Sequence, residues 1–127
     1  MNVRHAAVFL DHQEARVFHL HADETVDEKV LHPHKHVHRH PKGAAEGKSH
    51  PADGERFFHE VATSLADAEE ILVVGPGKAK LEFIKHVHKH DHALEPKIVG
   101  VETVDHPTDG QLVAYARTYF KRIDKMV

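Results

Sequence analysis

A mixed five-stranded α/β sheet with helices on both faces is the fold that this sequence predicts, on three observations. Two short strand-like runs near the start are joined by a tight polar turn. A continuous apolar run, Ile71–Val74, lies mid-chain against a Gly-Pro-Gly turn, as fully buried central strands do. The second half then alternates strand-like and helix-like periodicity, which requires parallel strands joined by right-handed crossovers.

The elements follow in order. Ala6–Leu10 and Ala15–Leu20 are separated by Asp11-His12-Gln13-Glu14, a hairpin connection of ordinary length. Thr25–Leu31 sets Val26 and Val30 among charged residues, as a strand exposed on one face would. Between His32 and Gly54 stand Pro33, Pro41, Gly43, Gly47 and Pro51, a density of breakers that predicts a long surface loop over 32–54. Phe57, Phe58, Val61, Ala62 and Leu65 then fall at helical spacing and predict a helix over 53–68. After the central strand, Leu81, Phe83, Ile84 and Val87 give one face of a helix over 78–90, and Ile98–Val104 is the last strand. Thr108-Asp109-Gly110-Gln111 has the form of a capping box, opening a helix whose apolar stripe is Leu112, Val113, Ala116, Phe120 and Ile123. The order β-β-β-α-β-α-β-α, with strand order 3-2-1-4-5, is that of a ribonuclease H-like fold.

Composition narrows the chemistry. The 127 residues suit one domain, 1–127, able to bury a core without a disulfide or a metal. The absence of cysteine excludes a thiolate zinc site, an iron–sulfur cluster and a cysteine nucleophile, so any transition metal must be held by histidine and carboxylate. No apolar run approaches the roughly 20 residues that span a bilayer. Arg4 is followed by only five apolar residues before Asp11, too few for a secretory signal, so no membrane and a cytoplasmic location are expected.

The formal charge of −3 sets 17 bases against 20 acids but omits 16 histidines, whose protonation brings the net charge through zero near neutrality. The charge is also segregated. Residues 11–28 hold six acids against Arg16, whereas residues 32–50 hold Lys35, Arg39, Lys42 and Lys48 against Glu46. Such a basic stretch suits an anionic partner, with solvated surface as the plain alternative.

Within that stretch His32, His34, His36, His38 and His40 recur at strict two-residue spacing. An extended backbone puts all five on one side, with neighbours roughly 6.5–7 Å apart, so two or three imidazoles can converge on zinc, nickel or copper(II). A second group closes the helix over 78–90. His86 and His90 form an i,i+4 pair able to share a metal or an anion, although cationic residues at a helix C-terminus are favoured without any ligand. No His-Glu-x-x-His motif occurs. Gly75-Pro76-Gly77-Lys78 lacks the spacing of a phosphate-binding loop, but the following helix start, with Lys78 and Lys80, offers a phosphate contact. Nuclease chemistry is not expected, because Asp11 and Glu60 have no third carboxylate on the Ile71–Val74 strand to complete a two-metal clamp.

Four segments also carry a family resemblance: Ala7–Arg16 (AVFLDHQEAR), His32–His40, Ile71–Lys80 (ILVVGPGKAK) and Ile98–Tyr115 (IVGVETVDHPTDGQLVAY). They resemble a small bacterial family of translational machinery proteins, which is distantly similar to the central domain of class-1 peptide-release factors and of Pelota. The resemblance implies the same fold and an association with ribosome or tRNA. In the release factors the loop after the third strand carries a Gly-Gly-Gln tripeptide that promotes peptidyl-tRNA hydrolysis. Residues 32–54 contain none, so hydrolysis is not implied, nor is any enzymatic activity. The expected RNA contacts are Lys35, Arg39, Lys42, Lys48, Lys78 and Lys80. No cofactor is required, and the alternative reading is a histidine-rich protein that binds zinc, nickel or copper.

Overall fold

A computed structural model describes the backbone of residues 4–33 and 51–125. Eight elements of the predicted order are present: β1 (His5–Leu10), β2 (Ala15–Leu20), β3 (Val26–Leu31), α1 (Pro51–Ser64), β4 (Glu70–Gly75), α2 (Ala79–His90), β5 (Ile98–Thr103) and α3 (Asp109–Lys125). The sheet runs β3-β2-β1-β4-β5, the expected order. β1 pairs antiparallel with β2 and parallel with β4, with His5 opposite Glu70 and Phe9 opposite Val74.

Position in the sheet explains the sequence pattern of each strand. β1 and β4 lie inside and are covered on both faces, so Ala6–Leu10 and Ile71–Val74 are wholly buried. The edge strand β5 alternates between half-buried and exposed residues, and β3 is exposed along its middle. Side chains alternate between two cores. Val8, Val17, Ile71 and Val73 pack with Phe57, Val61, Phe83 and Val87 of α1 and α2. Phe9, Phe18, Leu72 and Val74 pack with Leu112, Ala116 and Phe120 of α3 on the other face. The capping box closes reciprocally: Thr108 N–H donates to Gln111 Oε1 at 3.0 Å, and Gln111 N–H to Thr108 Oγ1 at 3.1 Å.

The largest differences from the sequence reading are the two ends of one helix and an added segment. α1 begins at Pro51, so residues 51–54 belong to the helix and not to the loop; proline is tolerated in a first helical turn, where its missing N–H has no partner to lose. The same helix ends at Ser64 instead of Ala68, because Leu65 and Ala66 turn to tighter bonds on Ala62 and Thr63, 3.1 and 3.2 Å long. A 3₁₀ segment, His92–Lys97, joins α2 to β5 and was not expected; only Leu94 of it is buried, too little apolar periodicity to read.

Candidate functional site

The strand order reverses direction between β1 and β4, and the turns leaving the C-terminal ends of these strands lie where open α/β sheets bind ligands. After β1, Asp11 Oδ1 accepts the N–H groups of Gln13 and Glu14 at 2.8 and 2.9 Å, fixing the hairpin turn. At the end of β4, Gly75 passes so close to Leu10 that a Cβ would collide with its carbonyl oxygen. His12 Nε2 reaches Glu82 Oε1 at 3.2 Å and ties the hairpin to α2. Of the two lysines expected here, Lys78 is exposed at the start of α2. Lys80 is buried, and its ammonium donates to the Gly77 carbonyl at 2.6 Å. That bond closes the turn from within, so Lys78 is the cation this turn presents to solvent.

The histidines of α2 are arranged differently from a simple i,i+4 pair. The His86 and His90 rings stand 5.1 Å apart, but they engage different partners. His90 is exposed and faces Glu55 of α1 at 3.7 Å. His86 is buried beside Phe58, and its Nε2 lies 2.7 Å from Asp91 Oδ2, just past the helix end. His59, from α1, hydrogen-bonds through Nδ1 to the same Oδ2 at 3.3 Å, with Oδ1 at 3.2 Å. One Asp91 carboxylate therefore accepts from two imidazoles on two helices. His86 Nδ1 is buried without a partner. A proton there would be an unmet buried donor, costing about 1–3 kcal/mol, so of the two tautomers the arrangement favours the one that carries its proton on Nε2. Alongside runs a groove of about 250 Å³ lined by Glu55, Phe58, Glu82, Lys85, His86 and His90.

A second convergence lies where β1 and β4 begin. His5 Nε2 is 3.1 Å from Glu70 Oε1 and 3.3 Å from Asp124 Oδ2, with the ring stacked on Phe120 at 4.2 Å. Burial first, and the neighbouring Asp124 carboxyl second, push the Glu70 carboxyl above its ordinary range. Neither His59 with Asp91 nor His5 with Glu70 and Asp124 was named from sequence. The first trio spans α1, α2 and the turn after it, and the second needs the parallel register of β1 and β4.

His32 is described at the end of β3, exposed, with Nδ1 3.4 Å from the Gln13 carbonyl oxygen. The other proposed contacts of the basic segment, His34, His36, His38, His40, Lys35, Arg39, Lys42 and Lys48, lie outside the described residues. Among the described residues no helix is long and apolar enough to cross a membrane.

Neither a protein-family model nor a curated protein matches the sequence. Solved structures do match in fold. Pelota from Archaeoglobus fulgidus aligns over 92% of this chain and 32% of its own, with a TM-score of 0.62 and 16% identity. An archaeal translation termination factor aligns over 97% of this chain and 39% of its own, with a TM-score of 0.55 and 15% identity. Dom34 of S. cerevisiae, a translation termination-like factor involved in RNA quality control, aligns over 96% and 37%, with a TM-score of 0.55 and 14% identity. The chain thus has the fold of a part of these proteins, spanning between a third and two-fifths of their length.

Proposed function

We propose that this chain is a non-enzymatic, release-factor-like domain of the cytoplasm that associates with ribosome or tRNA through its basic, histidine-rich segment 32–50. The observation that carries this reading is the fold shared over 92–97% of the chain with Pelota and the archaeal termination factor. The four segments add a resemblance to bacterial translational machinery proteins. The segment joins β3 to α1, the position at which the release factors carry their tripeptide. That stretch holds cations and imidazoles and no Gly-Gly-Gln, a chemistry suited to attracting phosphate. Lys78, exposed after β4, adds a further cation.

The test is Lys35, Arg39, Lys42 and Lys48 changed together to glutamine. If each meets one phosphate of single-stranded RNA, the slope of log affinity against log salt becomes shallower by about 3, and affinity at low salt falls by roughly tenfold or more. A melting curve like that of the wild type shows that the loss is one of contacts. Unchanged RNA affinity and salt slope in this variant would remove the segment as the contact surface.

A further inference from the structure

We infer that His59, His86 and Asp91 form a binding site for a divalent transition metal that clips α1 to the end of α2. One ligand atom from each residue lies within 4.8 Å of the other two. Two imidazole nitrogens and one carboxylate oxygen make a donor set suited to zinc, nickel or cobalt, with bonds near 2.0–2.2 Å and a remaining position for water. The three donors come from three places that the fold brings together: the middle of α1, the C-terminal half of α2 and the residue that follows that helix. Burial of His86 between Phe58 and the helix pair fixes one ligand, so that ordering it costs little on binding. His59 is 63% exposed on the solvent side, which leaves an entry path.

Metal at His86 Nε2 and His59 Nδ1 takes the place of the two protons now facing Asp91, which move to His86 Nδ1 and to His59 Nε2. Since His86 Nδ1 has no acceptor, the site lacks the hydrogen bond that usually steadies a ligating histidine, and its affinity falls below that of a structural zinc site. His90, one helical turn from His86 with its ring 5.1 Å away, is the nearest further imidazole to the site. The site is independent of the RNA reading, for it uses no residue of segment 32–50.

The experiment uses the full chain with His34, His36, His38 and His40 changed to glutamine, so that the alternating histidines do not compete. Titration with cobalt(II) chloride is expected to saturate at one equivalent and to develop visible d–d bands. Adding His59→Ala, an exposed change that leaves the core intact, should weaken cobalt binding by roughly tenfold or more and abolish the rise in melting temperature that zinc gives the parent. His88→Ala, which removes the partner of Glu95 instead, should leave both unchanged. Absence of one-equivalent binding in the parent, or equal affinity after His59→Ala, overturns the assignment.

Discussion

Gly75→Ala is expected to cost roughly 3–5 kcal/mol, among the most damaging single changes this chain can suffer. The added Cβ would stand 2.2 Å from the Leu10 carbonyl oxygen and 3.3 Å from its carbonyl carbon, both backbone atoms. Neither can turn aside as a side chain would. Leu10 is paired with Ala15 across the hairpin, and the Gly75 carbonyl accepts the Val104 N–H at 3.1 Å, so parting β1 from β4 disturbs hydrogen bonds on both sides. Against a typical stability of about 5–15 kcal/mol, such a loss takes away a large share. Urea unfolding monitored by circular dichroism measures it. A variant within about 1 kcal/mol of wild type would mean that β1 and β4 do not approach as closely as described.

Phe83→Ala should cost about 3–5 kcal/mol by the loss of buried apolar surface and the cavity it leaves. Its ring is fully buried in the core beneath α1 and α2, 5.7 Å from Phe58 in an edge-on arrangement. Leu81 on the same helix is 55% exposed, and Leu81→Ala should change stability by less than about 0.5 kcal/mol. The pair of variants separates the inward face of α2 from its outward one. Equal effects would place the helix in a different rotation, and with it His86, three residues beyond Phe83.

The fold was legible because its strongest signals are local. Ile71–Val74 could be buried on both faces only as an inner strand, and it lies between β1 and β5. Thr108 and Gln111 are three residues apart, within reach of each other in any helix start, and they pair as their types require. The site was legible only in part, because its chemistry is set by packing between elements. Periodicity along α2 alone pairs His86 with His90. Burial under Phe58 turns His86 toward Asp91, beyond the helix end, and α1 supplies His59 from 27 residues upstream of His86. Lys80 gave the same difficulty: its place near a helix start suggests a phosphate contact, whereas its ammonium satisfies the Gly77 carbonyl. The slip in register at Ile71 and Leu72, where β5 gains a residue on β4, likewise has no signature in the sequence of β5.

Association with the translation apparatus is the central claim, and cosedimentation of the untagged wild-type chain with purified ribosomes tests it most directly. Protonated imidazoles attract phosphate and neutral ones do not, so the histidines of segment 32–50 should strengthen binding as pH falls from about 7.5 to 6. Rising salt should release the chain from the pellet. Wild-type protein is therefore expected to pellet with ribosomes at low salt, more fully at pH 6 than at pH 7.5, and the quadruple glutamine variant to remain largely in the supernatant. Wild-type protein that stays in the supernatant at low salt and pH 6 would contradict the account.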